Sequence, residues 1–185
     1  MIDTDAIREA LQQYLDVDIA ADIWDEEPNL VLIIRGTDDV LDFSEVPIDS
    51  DGWAAAEPYL VIRAAADAAT LLHARTGWSP FVTGEELLGV AVFTEGWGLS
   101  ERDAEAIAQV QDWMQKGHRL SEHPLSVEVK VVTAVFVSGD PIMLVHARGG
   151  VPMPQTDEGD IGGRMPDALE YFLTTFSDLM EEKEK

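Results

Sequence analysis

VEVKVVTAVFVSGDPIMLVHAR, residues 127–148, holds two β-rich runs separated by one short turn. Val127 to Val137 is dense in β-branched side chains, and Pro141 to Arg148 is a second such run. Ser138-Gly139-Asp140 between them tolerates the tight backbone of a turn, so the two runs should pair as an antiparallel hairpin. Successive side chains alternate across a strand. Glu128 and Lys130 therefore share one face of the first strand, with Val127, Val129 and Val131 on the other. His146 and Arg148 share a face of the return strand.

Working outward, Leu87 to Trp97 (LLGVAVFTEGW) reads as a further strand, ending with Glu95 beside Trp97. Asn29 to Arg35 (NLVLIIR) is a compact β-rich run. Gly36-Thr-Asp-Asp39 supplies turn chemistry, and Val40, Leu41 and Phe43 form the return, giving a second hairpin.

Helices punctuate these strands. Asp3 or Thr4 can cap a first helix to about Leu15, since Ile7, Leu11, Tyr14 and Leu15 follow helical spacing. Asp16 to Glu27 reads two ways. Ile19, Ile23 and Trp24 would extend the helix; Asp22, Asp25, Glu26, Glu27 and Pro28 would make an acidic exit loop. Pro47 to Pro58 reads as a loop carrying Asp49, Asp51 and Trp53. Pro58 suits the first turn of a second helix to about Ala74, apolar nearly all round, which predicts a largely buried helix at the centre of the fold. Ser100-Glu-Arg-Asp103 has the form of a capping box and opens a third helix, with Ala104, Ile107, Ala108 and Met114 on one side and Gly117 as its stop. Gly149 to Arg164 reads as a mobile loop. Pro166 starts a last helix with Leu169, Phe172, Leu173, Phe176, Leu179 and Met180 on one face, and Glu181 to Lys185 should fray. The expectation is a single α+β domain over residues 1–185: one mainly antiparallel sheet of about five strands with helices packed on it, in the order α-β-β-α-β-α-β-β-α.

Composition narrows function. The 185 residues hold 36 Asp and Glu against 12 Lys and Arg, a formal charge of −24, and no cysteine. That charge disfavours nucleic-acid phosphates and anionic membranes as ligands, since both are bound by cationic patches. Without cysteine there is no disulfide, thiolate nucleophile or cysteine zinc site. No signal-like or membrane-spanning stretch is present, so a soluble protein of the cytoplasm is expected. The charge is uneven: residues 1–60 carry sixteen acids against Arg8 and Arg35, a net of −14. Three origins stay open: an acidic coat typical of a high-GC or salt-adapted genome, an acidic face for a basic partner, and mimicry of DNA.

Chemical motifs are sparse. The four histidines, His73, His118, His123 and His146, lack metal-ligand spacing, and the chain has no nucleophile elbow, phosphate loop or dinucleotide fingerprint. No metal and no cofactor are expected. The sharpest polar group is strand-borne. On adjacent strands, Glu95, Glu128 and Arg148 would form a charged cluster, either an acid/base site or a plain ion-pair ladder. For contact with a protein partner the candidates are Asp22, Trp24, Asp25, Glu26, Glu27, Trp53 and Trp97, carboxylates and tryptophans assigned to loops and a strand end. Trp78 in Trp-Ser-Pro-Phe81 is a further loop tryptophan.

The blocks LLGVAVFTEGWGL (87–99), LSEHPLSVEVKVVTAVFVSGDPIMLVHARGG (120–150) and GGRMPDALEYFL (162–173) together resemble uncharacterised proteins of high-GC Gram-positive bacteria and their phages. IWDEEPNLVLI (23–33) is compatible with that pattern. The resemblance covers about half the chain and transfers no catalytic residues. It implies a genome, bacterial or phage, in which acidic, lysine-poor chains are ordinary. Three functional expectations follow: a non-enzymatic protein acting by protein–protein contact, a small-molecule site or enzyme built on Glu95, Glu128 and Arg148, and a DNA-mimicking inhibitor.

Overall fold

The hairpin of residues 127–148 forms in a computed structural model. The structure describes residues 4–24, 27–48, 50–55, 57–77, 85–100, 104–150 and 164–181, apart from the side chains of 50, 54–55 and 178–181. Strand β4 (Ser126–Phe136) pairs antiparallel with β5 (Ile142–Ala147), placing Val132 opposite Leu144 and Lys130 opposite His146. Strand β3 (Glu86–Leu99) lies on the other side of β4, with Glu95 opposite Lys130 and Trp97 opposite Glu128. The N-terminal hairpin, β1 (Asn29–Arg35) and β2 (Leu41–Val46), adds to β3 through β1. The result is one five-stranded antiparallel sheet in the order β2-β1-β3-β4-β5, an α+β fold of the predicted class.

One irregularity sits in the middle of the sheet. Ile33 faces Gly89 while Ile34 faces Leu87, so Leu88 is an extra residue in β3. Such a bulge bends its strand and brings backbones together. A Cβ on Gly89 would lie 2.5 Å from the Val135 carbonyl oxygen, closer than any side chain tolerates.

Helices cover both faces. Helix α1 (Thr4–Ala20) lays Ile7, Leu11 and Leu15 on Val31, Ile33, Ala91, Val132, Ala134 and Leu144. The opposite face carries α3 (Pro58–Thr76) and α5 (Arg164–Glu181), whose Ile62, Ala66, Leu169, Phe172 and Phe176 pack on Leu30, Leu32, Val90, Val92 and Val135. Gly77, with φ 68°, closes α3, and Gly117, with φ 84°, follows the third predicted helix, α4 (Ala104–Gln115). Both are glycines because the left-handed stop disfavours a Cβ.

Four expectations need correction. The first helix does not stop near Leu15 but continues to Ala20, because Ile19 stays in phase with Leu15 and packs against the same cluster. Its chain leaves through Asp22, at φ 50°. The segment Pro47 to Pro58 is not all loop: it holds a short helix, α2 (Ser50–Ala55), and its Trp53 packs against the core. The apolar α3 is not buried all round, since Leu60, Leu71 and Leu72 are exposed. It sits beside α5, so only Val61, Ile62, Ala66 and Ala69 are shut from solvent. Helix α4 buries Ala106 and Val110, while Ile107 and Met114 point outward. Its docking phase is set by the neighbouring segment, where the Trp113 indole N–H donates to the Arg119 carbonyl at 3.1 Å.

The mobile-loop expectation now covers less. Arg148–Gly150 form a short turn and Arg164 opens α5. Residues 151–163 lie outside the described residues, as do the capping-box residues 101–103, Trp78 and the tail 182–185. Among the described residues no helix is long and apolar enough to cross a membrane.

Candidate functional site

Where α1 ends, the sheet continues. Beyond Phe93 and Val132 on that face, the alternation of β3, β4 and β5 presents Glu95, Lys130 and His146 in one row. Trp97 and Glu128 follow in the next row, with Arg148 just past the end of β5. The extra turn of α1 carries Asp18 over the first row.

Lys130 is the centre of this arrangement. Its side chain is only 6% exposed, and its Nζ lies 3.2 Å from Glu95 Oε1 and 3.5 Å from Asp18 Oδ2. A lone buried ammonium costs several kcal/mol of lost hydration, and two facing carboxylates offset that cost. Beside it, Arg148 Nη1 donates to Glu128 Oε2 at 2.6 Å. The Trp24 ring spans both cations, with its centroid 5.8 Å from Lys130 Nζ and 5.0 Å from Arg148 Cζ. The negative face of an indole attracts cations at this range. Trp24 therefore clasps the acidic segment after α1 onto the charged end of the sheet.

The three strand-borne candidates do converge, as two ion pairs rather than one triad: Glu95 with Lys130, and Glu128 with Arg148. The adjoining cavity is about 20 Å³, lined by Leu15, Asp18, Phe93, Glu95 and Lys130 among others. That holds about one water molecule.

The contact candidates separate. Trp24 is half-buried in the cluster just described. Trp97 is 46% exposed, on the same face as Glu95 and in register with Glu128. Asp22 and Glu27 are exposed, whereas Asp25 and Glu26 lie outside the described residues. Trp53 is partly buried against the opposite face of the sheet, away from the other two tryptophans.

Two of the histidines, His118 and His123, serve local structure. The His123 Nδ1 accepts the Leu125 N–H at 3.1 Å, and its ring meets Trp113 edge-on. His118 lies against the same indole. Among the described residues no group of three or more histidines and carboxylates is placed to hold a metal ion.

Two members of the cluster escaped the sequence reading. Lys130 was placed on the right face but not recognised as the buried hub, and Asp18 was not singled out. The helical spacing Leu11, Leu15, Ile19 carried the missing signal, since extending α1 by one turn sets Asp18 beside the strands. The chain was compared with protein-family models, with curated proteins and with solved structures, and none of them matches it.

Proposed function

We propose that this protein is non-enzymatic and works by protein–protein contact, offering a basic partner the acidic and aromatic surface around Trp24 and Trp97. The observation that carries this reading is the closure of the charged cluster. Lys130 is engaged by Asp18, Glu95 and Trp24, Arg148 by Glu128 and Trp24, and the cavity beside Lys130 is about 20 Å³. A catalytic or ligand site needs polar groups converging on open space, usually of several hundred Å³. The alternative, a small-molecule site on Glu95, Glu128 and Arg148, has little room on its Glu95 side. Exposed Trp97, Asp22 and Glu27 instead combine a large rigid contact group with carboxylates, a pairing suited to recognising cationic surfaces.

The resemblance to proteins of high-GC Gram-positive bacteria and their phages directs the search to basic proteins of such hosts. The test is affinity capture from an extract of such a host, followed by reconstitution with the purified partner. The quadruple variant Asp22→Asn, Asp25→Asn, Glu26→Gln, Glu27→Gln should weaken the purified complex by about tenfold or more and flatten its salt dependence. Trp97→Ala should weaken it without changing the salt slope. A complex indifferent to both variants, each folded by circular dichroism, would overturn the proposal.

A further inference from the structure

Helix α3 has an outer stripe that the described residues leave uncovered. At 100° per residue, Leu60, Ala64, Ala68 and Leu71 fall within one quarter of the helix circumference. Leu60 is 47% exposed and Leu71 is 57% exposed, with Leu72 beside it at 43%; Ala64 and Ala68 are exposed as well. Along one flank of the stripe runs an apolar groove of about 440 Å³, lined by Pro47, Ile48, Gly52, Leu60, Ala64 and Ala68 among others. On a surface this acidic, a continuous apolar stripe with bulky ends and a small-residue middle is a helix-docking seam rather than scatter.

We infer that the stripe is a homodimer seam, in which α3 of one copy packs antiparallel on α3 of a second copy about a two-fold axis that passes midway between Ala64 and Ala68. Two features select a second copy. First, the order Leu60, Ala64, Ala68, Leu71/Leu72 reads the same in both directions. Antiparallel pairing sets Ala64 against Ala68 of the partner subunit, so the backbones approach closely. It also sets Leu60 against Leu72 of the partner subunit, with the neighbouring leucine able to enter the groove. Second, the ends of the seam are complementary in charge. The same register places Glu57, just before the helix, opposite Arg75 of the partner subunit. Arg75 is exposed, and among the described residues no ion pair holds it. Glu57 already accepts from Arg164 at 2.5 Å, but a carboxylate has acceptor sites for a second cation. A two-fold interface repeats each such pair. This inference is independent of the contact surface around Trp24, which lies across the sheet.

The net charge of −24 opposes self-association at long range, and salt screens that repulsion while leaving apolar burial intact. Dimerisation should therefore strengthen with salt. Light scattering of the full chain across a concentration series should give a mass rising from 20.3 kDa to twice that value, at lower concentration in about 0.5 M salt than in about 0.05 M. Ala68→Glu and, separately, Ala64→Glu should each keep the chain monomeric. Both sites are exposed, so an unchanged circular dichroism spectrum will show that the fold survives. Because the chain has no cysteine, Ala74→Cys offers a single spin-label site. Antiparallel helices place the two labels about 24 Å apart along the axis, whereas parallel helices would hold them within about 10 Å. A chain that stays monomeric at every salt concentration overturns the inference. So does a dimer unaffected by both glutamates, or labels at the parallel distance.

Discussion

The two faces of the sheet solve one covering problem differently. Strands spaced about 4.8 Å apart make a five-stranded sheet about 20 Å wide, and a packed helix covers about 10 Å of it. The face under α3 and α5 has two helices and closes with apolar side chains, from Leu30 and Val90 up to Phe172 and Phe176, and the uncharged Thr133. The other face has α1, which covers Val31, Ala91 and Val132 and then ends. Past that end the strands carry Glu95, Glu128 and Lys130 inward, and the gap is closed by Asp18, Arg148 and the Trp24 ring. Charged side chains can cover a sheet where a helix is missing, provided that every buried charge meets an opposite one.

Mutations can break or sharpen this contrast. The largest effect should come from the two-helix face: Phe172→Ala, which also ends the stacking on Phe176 at 4.4 Å between ring centroids, should cost about 3–5 kcal/mol in urea unfolding. That loss should be insensitive to salt. On the other face, Lys130→Met leaves Asp18 and Glu95 facing each other without a counter-ion and should cost about 3 kcal/mol. Adding Asp18→Asn and Glu95→Gln should regain more than half of that loss, since removing a whole buried ionic cluster is far milder than breaking it. A Lys130→Met cost below about 0.5 kcal/mol would mark a solvent-facing ladder and erase the contrast between the faces. Trp24→Ala should cost about 1 kcal/mol, with hydrogen exchange faster at residues 21–24.

The smallest effect lies outside the core, where Tyr171 of α5 donates to Asp67 Oδ1 of α3 at 2.7 Å. That hydrogen bond, and then the carboxylate charge, raise the phenol above its ordinary value of 10.0. The folded protein thus favours the protonated phenol. Its contribution to stability is complete below the ordinary tyrosine range and is lost as pH rises through the raised folded value. Tyr171 should titrate late by phenolate absorbance, and Asp67→Asn should return it towards the ordinary value. A late tyrosine that persists in Asp67→Asn would assign the shift to another cause.

Much of the fold was legible because its signals are local. The run Val127–Val137, the Ser138-Gly139-Asp140 turn and the return to Arg148 contain the whole argument for a hairpin. Pro58 and Gly117 punctuate their helices for reasons internal to one or two residues. The errors arose where neighbours decide. The outline of α3 suggests burial on all sides, yet a helix placed beside another on one sheet face keeps an outer side. The composition of α4 favoured Ile107 and Met114, but its docking buried Ala106 and Val110. The site was half legible: alternation put Glu128 with Lys130 on one strand and His146 with Arg148 on the next, and for Asp18 the local signal was the helical spacing Leu11, Leu15, Ile19.

By itself the sequence determined an antiparallel α+β sheet, the turns that order it, and, strand by strand, a face bearing Glu128 with Lys130 and another bearing His146 with Arg148. These depend on alternation and on backbone preferences of single residues, which act over a few positions. Only the tertiary structure decided that Lys130 is a buried hub and that Trp24 closes over it. It also decided which side of α3 stays exposed. Those outcomes depend on strand register and on where α1 ends above the sheet. Both are set by contacts between segments far apart in the chain, where the cost of an unpaired buried charge selects the arrangement that pairs it.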